Sequence, residues 1–89
     1  MLDEARILLS QIVREIKKAP MEKGKMFIAV DEYNYALLQV LKMRNMIDFT
    51  YHGTEDTLKG KMYIASIPFR IENGLIYIKT KDNEIVYRR

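Results

Sequence analysis

The chain contains a single histidine, His52, and no cysteine. A Cys–His nucleophile pair and a thiolate metal site are therefore excluded. Ser10 falls within a helical pattern and Ser66 within a strand pattern. Neither has the strand–turn–helix setting that exposes a nucleophilic serine. Four isolated glycines form no phosphate-binding loop. Adjacent acids occur at Asp3-Glu4, Asp31-Glu32 and Glu55-Asp56. The first two pairs read as helix starts and the third as a solvated loop. Glu55 and Asp56 could join His52 around a hard cation, but their spacing matches no specific metal loop. The chain reads as non-enzymatic, with no cofactor and no metal.

Two groups of residues could instead bind a partner. Tyr35, Gln39 and Lys42 recur at helical spacing, with Lys59 and Lys61 further along. Arg70, Tyr77, Lys79 and Arg88 fall together on one face of the C-terminal strands. Ile7 stands apart, an apolar side chain amid Asp3, Arg14 and Lys18 on a helical wheel. It is the candidate for a self-association or partner surface.

Eighty-nine residues make one domain, 1–89, with room for one core. Apolar residues make up 48% and charged residues 30%, which is globular usage and argues against disorder. A net charge of +3 permits an anionic partner without requiring one. The longest apolar run, Met26 to Val30, is too short to span a bilayer. The acidic start has no apolar signal core, so the expectation is a cytoplasmic protein without a membrane partner.

The elements follow from periodicity. Leu2, Ala5, Leu8, Leu9, Ile12, Val13 and Ile16 share one face of a helix that Pro20 stops. Lys25 to Val30 reads as a short strand. Asp31 reads as the N-cap of a second helix that runs to about Arg44, with Asn45 as its left-handed terminus. Ala36, Leu37, Val40, Leu41 and Met43 with Tyr33 form its expected core face. Leu38 and Tyr35 fall nearer the other side. Met46 to His52 alternates as a half-buried strand, with Ile47, Phe49 and Tyr51 on one side, and His52 to Lys61 reads as a polar loop. Met62 to Glu72 is the next strand.

Asn73-Gly74 predicts a two-residue hairpin, because both central residues need φ > 0. It sets Glu72 opposite Leu75, Ile71 opposite Ile76, Arg70 opposite Tyr77, Phe69 opposite Ile78 and Ile67 opposite Thr80. Pro68 would fall opposite Lys79 at a hydrogen-bonded site, where it cannot donate. The ladder should therefore end, bulge or change partner there. A last turn near Asp82-Asn83 would place Ile78 opposite Tyr87 and Tyr77 opposite Arg88. Arg70, Tyr77 and Arg88 would then lie side by side, next to Lys79. The expected fold is α+β, with two helices packed on one face of a mostly antiparallel sheet and a C-terminal β-meander.

The order of elements from LQVLKMRNMI, Leu38 to Ile47, through a strand, a polar loop and a second strand resembles the recognition helix and wing of winged-helix proteins. VDEYNYALLQVLKMRNMI is similar to the equivalent stretch of YjcQ-like proteins from Bacillus and its phages. About thirty residues are covered. Asn45 stands where glycine is typical, Pro20 to Asp31 leaves little room for the usual second helix, and two strands follow the wing. The resemblance implies a phage-type regulatory module whose second helix enters the major groove of duplex DNA. Tyr35, Gln39 and Lys42 would reach the groove, Gln39 being able to pair with adenine. Lys59 and Lys61 would hold phosphates. The rival expectation is a protein-interaction or inhibitor module, acting through Ile7, the Tyr35–Leu38 face or a sheet edge.

Overall fold

The computed structural model describes all residues, 1–89. The order is α1 (Leu2–Lys17), β1 (Lys23–Val30), α2 (Glu32–Met43), β2 (Thr50–Thr57), β3 (Gly60–Glu72), β4 (Leu75–Lys79) and β5 (Glu84–Arg88). The fold is α+β. All four strand pairings are antiparallel.

β3 organises the sheet. β1 pairs along one of its edges, from Lys23↔Arg70 to Val30↔Tyr63. Its other edge has two partners in succession: β4 at Phe69–Glu72 and β2 at Gly60–Ser66. The exchange falls at Ile67-Pro68, as the missing proline donor requires. Pro68 also sits within the β1 ladder, opposite Lys25, and that ladder is unbroken. The alternation of an antiparallel pair explains both facts. The Ile71 amide bonds to Glu22 on the β1 side, so Pro68, three residues away, turns its nitrogen to the other edge. β4 ends at Lys79, and Ile67 has no partner in it.

The core lies between α1, α2 and one face of the sheet. Leu8, Ile12 and Ile16 of α1, Leu37, Leu38 and Leu41 of α2, and Ala65, Ile67, Phe69, Ile76 and Ile78 of the sheet are all buried there. α1 buries the expected stripe. Asp31 caps α2, its side chain accepting from the Asn34 amide at 2.9 Å, and Asn45 has φ 57°. The face of α2 differs from expectation. Leu38 is fully buried, whereas Met43 is 84% and Tyr33 52% exposed. The buried arc is centred between Leu37, Leu38 and Leu41, because α2 meets α1 on one flank and the sheet on the other.

Three further corrections concern strands. The polar segment 52–61 is not a loop: it is most of a hairpin that turns at Leu58-Lys59. Met46 to Phe49, read as the start of a strand, is the connection into β2. The last hairpin is shifted by two residues. Ile76 faces Tyr87, Tyr77 faces Val86 and Ile78 faces Ile85. Thr80 closes the turn: its amide donates to the Asn83 carbonyl at 2.8 Å, and its hydroxyl accepts from the Asn83 amide at 2.9 Å.

No helix is long and apolar enough to cross a membrane.

Candidate nucleic-acid interface

β1 reaches only as far as Tyr63. Beyond it, β2 and β3 pair with each other alone and project as a two-stranded arm of about 10 Å, three residues at strand rise. The turn is tight. Thr57 Oγ donates to the Gly60 carbonyl at 2.8 Å and accepts from the Lys59 amide at 3.1 Å. Gly60 has φ 109°, which a side chain would strain. Leu58 at the tip is fully exposed, and Lys59 and Lys61 flank it in solvent.

α2 meets the root of this arm through aromatic rings. Tyr35 stacks on Tyr63 with centroids 4.8 Å apart and planes at 15°. Tyr51 lies 5.3 Å from Tyr35, and Phe49 meets its edge at 5.9 Å. Such pairs contribute about 0.5–1.5 kcal/mol each beyond their buried area, and here they fix the arm to the helix. Tyr35, Gln39, Lys42, Met43, Phe49 and Tyr51 line a shallow groove of ≈ 390 Å³. Tyr35, Gln39 and Lys42 thus share one surface, with Lys59 and Lys61 on the arm beside it.

Charge on this surface is balanced. Lys42 Nζ donates to the Phe49 carbonyl at 3.1 Å, lies 3.5 Å from Asp48 and sits 4.8 Å above the Phe49 ring. Asp56 faces Lys61 across the arm, and Glu55 is next to it. Gln39 is exposed.

The sheet face turned away from the helices carries the second group. Arg70 lies 3.7 Å over the Tyr77 ring. Its Nε and Nη2 donate to the two Glu84 oxygens at 3.1 and 3.2 Å, and Nη1 donates to Glu72. The Glu84 carboxylate holds the guanidinium above its ordinary value. Lys79 remains beside Tyr77, but Arg88 does not: it faces Leu75, because the β4–β5 register is shifted. The expected row of arginine, tyrosine and arginine is therefore an arginine–tyrosine stack neutralised by two glutamates. Lys23 and Lys25 of β1 border the same cleft, which sequence patterning alone missed.

His52 has a role that its spacing did not announce. It is the extra residue of a β-bulge between Tyr51 and Gly53. Its Nε2 is 2.7 Å from Ser66 Oγ, and its ring lies 5.2 Å from that of Phe27. Ser66 is fully buried. The contact gives the buried hydroxyl a hydrogen-bond partner. Ile7 is 60% exposed on α1. No group of three or more His, Asp or Glu side chains is gathered where it could hold a metal ion.

No family model, no curated protein and no solved structure matches the chain.

Proposed function

We propose that the chain is a small binding module that contacts duplex DNA through α2 and the β2–β3 arm, as a regulatory protein of winged-helix type would. The observation that carries this reading is a juxtaposition. A helix with Gln39 on its exposed face leads into an arm that projects beyond the sheet and ends in Lys59 and Lys61. The strand order β1–β3–β2 next to the helix is consistent with a wing. Gln39 reads a base edge, Lys59 and Lys61 hold phosphates, and Tyr35 and Tyr51 line the floor between them. Lys42 joins only by leaving Asp48.

Titration of labelled duplexes at several salt concentrations tests the reading. Two phosphate contacts predict a slope of about −1.8 in log K against log salt. Lys59→Ala or Lys61→Ala should each flatten it by about 0.9. Gln39→Ala should reduce the preference between sequences by about 1–3 kcal/mol and leave the slope unchanged. Absence of binding at low salt rejects the proposal. So does loss of binding in Arg70→Ala and Lys79→Ala while the helix and arm variants bind normally, because the sheet face would then be the site.

A protein partner is the second reading, favoured by one observation. Met43, Tyr51 and Leu58 are exposed on this same charge-balanced surface. Methionine and aromatic residues enrich protein interfaces, whereas nucleic-acid interfaces are strongly positive. Binding that ignores salt and is lost in Met43→Ala or Leu58→Ala would favour it.

A further inference from the structure

β5 is the last strand of the sheet and has a neighbour on one side only. Its free edge can be read from the ladder. The Asn83 carbonyl accepts from Thr80, and the Arg89 amide donates to the Gly74 carbonyl. Alternation then turns Ile85 and Tyr87 toward β4, and Glu84, Val86 and Arg88 outward. Three residues thus present unpaired N–H and C=O groups on an exposed edge. Natural sheets blunt such edges, because they template pairing with another chain.

Beside this edge runs a groove of ≈ 480 Å³ between α1 and β5. Leu9, Val13, Met46 and Tyr87 supply apolar surface, and burial pushes the Tyr87 phenol up. Arg6, Arg14 and Lys17 line the α1 side. None of the three enters an ion pair. No acid lines the groove; Asp3 lies a turn before Arg6, and Glu84 is engaged by Arg70.

We infer that β5 and this groove together accept an extended acidic segment of a partner protein, added as a sixth strand beside β5. The main-chain bonds run to Glu84, Val86 and Arg88. Alternate side chains of the added strand point beneath α1, an apolar one onto Tyr87 and acidic ones onto Arg6, Arg14 and Lys17. Charge decides against a second copy of this chain. Antiparallel β5–β5 pairing would bring two sets of Arg6, Arg14 and Lys17 together, which Glu84 opposite Arg88 of the copy does not offset. The surface is separate from the α2–arm groove, so the proposed DNA contact and this one are independent.

The test uses a fluorescein-labelled peptide of nine residues with aspartate at its third and seventh positions, leucine at its fifth, and serine or threonine elsewhere. Its counterpart carries lysine for aspartate. Anisotropy should show saturable binding of the acidic peptide and none of the basic one. Val86→Pro removes one outward donor and leaves the β4 ladder intact, since Ile85 and Tyr87 carry it. It should weaken binding about tenfold or more, with thermal melting followed by circular dichroism showing the fold retained. The Arg14→Glu, Lys17→Glu double variant changes only exposed side chains and should weaken binding by at least about tenfold. The inference is overturned by no binding at about 1 mM peptide, or by binding that both variants leave unchanged. It is also overturned by a concentration-dependent dimer in sedimentation that Val86→Pro dissolves and the peptide does not. Competition by duplex DNA that Val86→Pro leaves unaffected would show that the cations alone bind, and would reject the strand addition.

Discussion

Leu38→Ala should be among the most damaging single truncations in α2. Leu38 is fully buried, where the helix meets both α1 and the sheet. Removing its branched end deletes buried apolar surface and leaves a cavity that rigid neighbours on two sides cannot collapse. Such changes cost about 2.7–5 kcal/mol, and an enclosed site with two packed flanks belongs above the bottom of that range. A loss of about 3 kcal/mol should lower the melting midpoint by about 12–24 °C in a domain of this size. Gln39→Ala, one residue on, changes an exposed side chain and should stay within about 0.5 kcal/mol. Urea unfolding followed by circular dichroism measures both, with equal slopes expected if the unfolded states match. The reasoning fails if Leu38→Ala costs less than about 1 kcal/mol, or if Gln39→Ala is the more damaging. The pair also separates core from surface in function. Folded Leu38→Ala should bind DNA normally, and Gln39→Ala should lose sequence preference at full stability.

Tyr33 donates to Glu4 at 2.5 Å, and this bond is the main reason the Glu4 carboxyl lies below its ordinary 4.5. A depressed carboxyl stabilises the fold above the unfolded value and loses that contribution as pH falls through the folded one. Tyr33→Phe should therefore make stability fall less steeply below pH 4.5 in acid melts, and an identical acid limb would deny the coupling. The Tyr33 hydroxyl is raised by the same bond, so its contribution is lost only as pH rises above 10. Asn73→Ala keeps a side chain at φ 52° without the local polar partner that favours asparagine there. It should destabilise by about 1 kcal/mol and Asn73→Gly should not, as thermal melts of the two would show.

The parts of the fold written in local signals were legible. The stripe of α1, the Asp31 cap and the Asn73-Gly74 register each depend on residues within one or two turns of chain. Pro68 went further, because a single missing donor, combined with ladder alternation, located the change of partner on β3. The β2–β3 arm was hidden for the opposite reason. Gly53, Thr54, Glu55 and Asp56 contain no apolar residue, and their strand exists by pairing alone. The last hairpin shows a subtler limit. A register shift of two keeps every side chain on its face, so alternation cannot distinguish Tyr87 opposite Ile78 from Tyr87 opposite Ile76. Asp82-Asn83 suits a turn by composition. The observed turn is held by the Thr80 hydroxyl, which accepts from the Asn83 amide from a buried position.

That shift of two residues reaches the candidate sites. With Arg88 beside Tyr77, the outer sheet face would carry two free guanidinium groups around a ring. With Val86 there instead, Glu84 comes within reach of Arg70, and the strongest cation on that face is spent on two glutamates. The same shift puts Tyr87 across from Ile76, on the floor of the α1 groove, while Val86 faces the free edge in either register. Arg70 is thus spent where the sequence pattern gathered charge, leaving Lys79 with Lys23 and Lys25 unpaired on that cleft, and a second unpaired set stands along α1, on Arg6, Arg14 and Lys17. In the sequence these three look like the solvated back of an amphipathic helix. They become a candidate site only because the terminal strand is an edge and lies beside them. Neither fact is encoded in α1 itself, which is why periodicity located the helix and missed its surface.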